Sequence, residues 1–187
     1  MNMKRESGFT IIELMIAIAV GGVLLALAVP SFMTMIQNNR MTSSLNGFVG
    51  AIHVARSESI RRGSNIVICK SSSGTACTAG SQWEAGWLVF ADTNANSSFD
   101  VGEDIILIGE ALDQTLTLRE APTLTQVIYS GRGFAVGLAP TTFTICDARG
   151  SNDAKGLVLS SVGRLSRTED TNGDTQEDVG GVNLVCP

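Results

Sequence analysis

The stretch FTIIELMIAIAVGGVLLALAV, Phe9 to Val29, decides the fold. It is apolar on every side, and Pro30 follows it. As a helix rising about 1.5 Å per residue it spans roughly 30 Å, the thickness of a bilayer's hydrocarbon core. The preceding MNMKRESG carries Lys4 and Arg5, which hold the N-terminal side in the cytoplasm. Everything after Pro30 is therefore expected outside the inner membrane. One residue is out of place. Glu13 lies inside the apolar run, where an unpartnered carboxylate costs about 3 kcal/mol. Cleavage after Gly8 would supply a partner, because the new α-ammonium on Phe9 can neutralise a neighbour's Glu13 across packed helices. Two plainer readings compete. Ala26-Leu27-Ala28 has the form of a signal-peptidase site that would release a protein starting at Val29, but the apolar run is long for a signal and carries a charge. A simple signal anchor accounts for the length and leaves Glu13 and the Gly8-Phe9 boundary without a reason.

Past Pro30 the helical pattern resumes. Leu45, Phe48, Val49, Ile52 and Ala55 recur at one-face spacing, with Arg40, Arg56, Arg61 and Arg62 mostly between them. Gly63 is a natural stop. The spacing predicts one helix from Phe9 to about Arg62, apolar all round in its first half, amphipathic in its second and bent at Pro30. His53 falls beside the apolar stripe and reads as a helix-surface residue. After Gly63 come short β-type runs: 66–69, 86–90, 104–108, 116–118, 126–129, 134–136, 142–146, 156–159 and 182–185. The expected fold is α+β, with a long N-terminal helix packed on an antiparallel sheet or small sandwich. Its parts are a leader (1–8), a transmembrane and assembly helix (9–30), an amphipathic continuation (31–62) and a β-rich periplasmic head (63–187).

The 187 residues suit one domain with an appendage. Thirteen basic against eighteen acidic residues leave a net charge of −5, which argues against wholesale coating of nucleic acid. Cys69, Cys77, Cys146 and Cys186 all follow the membrane segment, as disulfides in an oxidising compartment would. Cys69–Cys77 as a short loop and Cys146–Cys186 as a tether for the C-terminus is the favoured pairing, which the sequence does not fix. Zinc is a weak rival, with no C-x-x-C pair and His53 the sole histidine. Asp92, Asn94, Asn96, Asp100 and Glu103 fall at calcium-loop spacing, but Ser97 stands where a glycine is wanted and strand-like runs flank the loop. A turn rich in Asn and Asp is the preferred reading over a Ca²⁺ site. A second acidic loop runs from Asp170 to Asp178. No nucleophile–base arrangement is available away from His53, and no phosphate or dinucleotide fingerprint occurs, so an enzyme is not expected.

Gly8-Phe9-Thr10-Ile11-Ile12-Glu13-Leu14 resembles the N-terminal signal of type IV pilins and type II secretion pseudopilins. The resemblance implies cleavage between Gly8 and Phe9 by prepilin peptidase, methylation of the Phe9 amine, Glu13 as the assembly carboxylate and Pro30 as the helix-bending proline. Residues 55–63 (ARSESIRRG), 66–69 (IVIC) and 83–92 (WEAGWLVFAD) resemble the GspH/FimT subfamily. That implies a minor pilin, held in the inner membrane with a periplasmic head, that primes or caps a pilus serving motility, adhesion or DNA uptake. Its partners would be other minor and major pilins and the inner-membrane assembly platform. A minor pseudopilin of a type II secretion system is the alternative. Some members bind DNA, and Gly163-Arg164-Leu165-Ser166-Arg167 is similar to their basic element with one extra residue between the arginines. A tip DNA receptor using Arg164 and Arg167 is thus a third reading.

Overall fold

The computed structural model describes residues 8–80 and 82–186. The leader proposed from the sequence lies, apart from Gly8, outside the described residues. One helix, α1, runs Ile11–Arg62, with Pro30 inside it and Gly63 at a left-handed φ of 63° just after its end. Glycine takes that conformation without steric cost, and its N–H closes the last turn on the Ser59 carbonyl at 2.9 Å. Phe9 and Thr10, expected as helical, precede the helix. The chain divides into two compact units, one ending at Asn39 and one beginning at Arg40.

The described residues of the first unit are Gly8 to Thr10 and the first part of α1, and every large apolar side chain from Phe9 to Ile36 is exposed. The second contains the rest of α1 and eight strands in two antiparallel sheets. In one sheet the order is β3 (Ile105–Gly109), β2 (Trp87–Asp92), β1 (Asn65–Lys70), β5 (Gln126–Tyr129). In the other it is β4 (Thr117–Ala121), β6 (Thr141–Cys146), β7 (Lys155–Leu159), β8 (Leu165–Arg167). A small ribbon, β9 (Asp178–Val179) with β10 (Val182–Asn183), completes the head.

Within this unit α1 turns Met41, Leu45, Phe48, Ile52 and Ala55 into a core shared with both sheets. Phe48 is its centre, its ring 5.3 Å from Trp83, 5.2 Å from Trp87 and 4.9 Å from Phe143, mostly edge to face. Strand alternation does the sorting in β1: Ile66 and Ile68 face the helix, while Val67 and Cys69 turn to a smaller cluster with Leu88, Phe90 and Phe99. The run 134–136, expected as a strand, forms only a single bridge, Ala135 to Tyr129. Gly133 and Gly137, both at positive φ, close it off on either side. Conversely β8, which lies outside the expected strand runs, pairs with β7.

Candidate functional site

The residues singled out for processing lie just before α1, and Glu13 lies in its first turn. Gly8 is exposed with open space where a Cβ would stand, and Phe9 is 83% exposed. Thr10 and Glu13 then form a reciprocal cap. The Thr10 hydroxyl accepts the Glu13 N–H at 3.3 Å, and the Glu13 carboxylate accepts the Thr10 N–H and hydroxyl at 3.4 Å. Such a T-x-x-E box satisfies donors that a helix leaves orphaned in its first turn. The T-x-x-E signal for this cap is present in the sequence. The bonds are long, so the cap holds the carboxylate at the helix start without consuming its capacity for a stronger, charged partner. Pro30 lies within α1, and the Thr34 hydroxyl donates to its carbonyl at 3.1 Å.

The helix contains an 18-residue window of mean hydropathy 2.6, none of it buried. By length and composition it can cross a membrane. A helix apolar on all faces and covered by nothing requires lipid or other helices around it.

In the head, both disulfides are formed: Cys69–Cys77 and Cys146–Cys186. The second ties the C-terminal segment to β6 beside Ala154 and Leu184. The loop from Asp92 to Glu103 is organised by its own acids. Asp92 accepts the Asn96 and Ser97 N–H groups, and Glu103 accepts those of Thr93 and Asp100. Side chains of Asn94 and Asn96 bond Asp100 at 2.9 and 2.6 Å and hold its carboxyl below the usual carboxylate range. The 170–178 loop behaves alike: Asp170 accepts the Gly173 and Thr175 N–H groups, and the Thr171 hydroxyl holds Asp178 low. These loops are closed by Asx-type turns. Among the described residues no group of three or more His, Cys, Asp or Glu side chains is placed to hold a metal ion.

Arg164 and Arg167 have different partners. Arg164 ends the turn Ser160–Arg164, its N–H donating to the Ser160 hydroxyl at 3.0 Å. Arg167 lies in β8, and its guanidinium donates to the Asn46 side chain on α1. Beside it the exposed His53 joins Val49, Leu157, Leu165 and Ser166 around a shallow groove of about 200 Å³.

Two comparisons of sequence and one of structure agree with this architecture. Residues 44–163 match the family described as type II transport protein GspH, and residues 3–29 match the prokaryotic N-terminal methylation motif. A fimbrial protein of Pseudomonas aeruginosa is 37% identical over 65 residues, 35% of this chain and 42% of that protein. The chain therefore spans less than half the length of that relative. The fold is similar to the type IV minor pilin FimU of Pseudomonas aeruginosa, with TM-score 0.55, 18% identity and coverage of 72% of this chain and 92% of that one. It is also similar to the minor pseudopilin EpsH of Vibrio cholerae, with TM-score 0.50, 13% identity and coverage of 71% and 99%. The proteins it resembles are structural subunits rather than enzymes. With the helix, the two sheets and the methylation motif in place, the chain belongs to the GspH family of minor pilins and pseudopilins.

Proposed function

We propose that this chain is a minor subunit of a type IV pilus, which primes or caps the filament. Prepilin peptidase removes residues 1–8 and the amine of Phe9 is methylated. The mature protein waits in the inner membrane through 9–30, head in the periplasm, until the assembly platform passes it to other pilins. The observation that carries this reading is Glu13 at the start of a helix whose large apolar side chains, as far as Ile36, are all exposed. In lipid that carboxylate is a cost of about 3 kcal/mol. Against a neighbour's Phe9 ammonium it becomes a charge-assisted contact that fixes register while apolar burial drives packing. The Thr10 box keeps the carboxylate at the helix start until that partner arrives.

Glu13→Gln tests the role. Processing at Gly8 and membrane insertion should be unchanged, while recovery in sheared filaments falls at least about tenfold, as losing a buried charged partner predicts. Full recovery of the variant would contradict it. The family's description as a type II transport protein favours a second reading, a pseudopilin of a secretion machine. Loss of an exported enzyme on deletion, with pili intact, would select that one.

A further inference from the structure

Of the lysines and arginines among the described residues, only Arg56, Arg132, Arg164 and Arg167 stand outside an ion pair. In a chain of net charge −5 that is a selective omission. Three of the four meet at one corner of the head. The turn Ser130–Phe134 packs on the end of α1: a Cβ on Gly131 would strike the Gly63 backbone, and one on Gly133 would lie 2.6 Å from Ile60 and 3.8 Å from the Arg56 guanidinium. The neighbouring turn, Ser160–Arg164, joins it through the Ala135 N–H to the Val162 carbonyl at 3.3 Å and the Tyr129 hydroxyl to the Gly163 carbonyl at 2.9 Å. Large apolar side chains crowd the same two turns and are left in solvent: Ile60 57%, Phe134 54% and Val162 51% exposed.

We propose that this corner, Arg56–Ile60 with the 130–134 and 160–164 turns, is the docking surface for an acidic, apolar-studded face of a neighbouring filament subunit. The inference rests on the filament reading above. Arginines and aromatics around exposed aliphatic groups are the composition of protein interface cores. The apolar part selects protein over nucleic acid. A phosphate backbone would use the arginines and leave Ile60, Phe134 and Val162 unburied, and it would approach against the chain's net negative charge. Arginines without internal partners supply the charge complementarity. Each guanidinium is free to fork onto a carboxylate of the neighbour.

The test uses the full chain in its native cells, with a benzophenone amino acid replacing Phe134, or Val101 as a control site on the exposed 101–102 turn. After irradiation, sheared filaments are collected and adducts sequenced by mass spectrometry. The proposal expects an adduct at position 134 to an Asp/Glu-rich segment of another protein bearing the N-terminal methylation motif, and none at 101. Adding Arg132→Glu should lower the yield about tenfold, while Arg132→Lys retains it. A chain recovered in filaments with no adduct at 134, with adducts to nucleic acid, or with a yield indifferent to Arg132→Glu overturns the proposal and leaves the filament reading standing. A chain absent from filaments overturns both.

Discussion

Separating Lys70 from Glu120 should loosen the head more than any other single surface-type change. The pair links the two sheets, Lys70 ending β1 and Glu120 lying in β4, with Nζ 2.6 Å from Oε1. Both side chains are 4% exposed, and the ammonium stands 5.7 Å from the Trp83 ring centroid. Glu120→Leu leaves that ammonium buried without a counter-charge; Lys70→Met leaves the carboxylate so. Each single change should cost about 3–5 kcal/mol. The double variant Lys70→Met/Glu120→Leu removes both charges and fills similar volume, so it should fall within about 2 kcal/mol of the parent. The assay is urea unfolding of the full-length, disulfide-intact protein in detergent micelles, followed by the fluorescence of Trp83 and Trp87, the chain's two tryptophans. With a urea slope of about 2 kcal/mol per molar, the singles should lower the midpoint by about 2 M. Singles costing under about 1 kcal/mol, or a double as damaging as their sum, would refute the claim that this pair is desolvated and coupled.

Three further outcomes follow from the head. Phe48→Ala opens a cavity among Trp83, Trp87 and Phe143 and should cost about 3–5 kcal/mol by the same assay. Replacing Cys146 and Cys186 by Ala frees a loop of sequence separation 40 and should cost about 4 kcal/mol, against about 2.5 kcal/mol for Cys69 and Cys77 with separation 8. Tyr129, the single tyrosine, has its phenol pushed up to about 12 by burial. The folded state therefore favours the neutral phenol. That stability is whole below the ordinary value near 10 and is lost as pH rises through 12, so no phenolate absorbance should develop below pH 11 unless the head unfolds.

Much of the fold was legible because its signals are long or periodic. The Phe9–Val29 run and the Leu45–Ala55 stripe each specify helix by themselves, and the β1 and β6 runs by their β-branched content. Short elements were not. β8 is three residues with two polar side chains, and its pairing depends on the turn before it, not on its own propensity. Phe134-Ala135-Val136 looks like a strand and is held to one bridge by the glycines around it. The Lys70–Glu120 pair was invisible, since charged residues in strands ordinarily face water and these two lie fifty positions apart in the chain. At the candidate site, Glu13 stood out because a carboxylate in an apolar run is costly. Thr10 did not, although T-x-x-E before an apolar helix is a readable cap. Arg56 and Arg132 carried no motif at all. Only the ion pairs of seven other described lysines and arginines set them apart.

The central claim is tested most directly by the intact mass and N-terminal sequence of the protein recovered from native membranes and sheared filaments. The account predicts a chain that begins at Phe9, one methyl group heavier than the unmodified residue and with both disulfides formed. A chain that begins at Val29, or one that retains Met1, would contradict it.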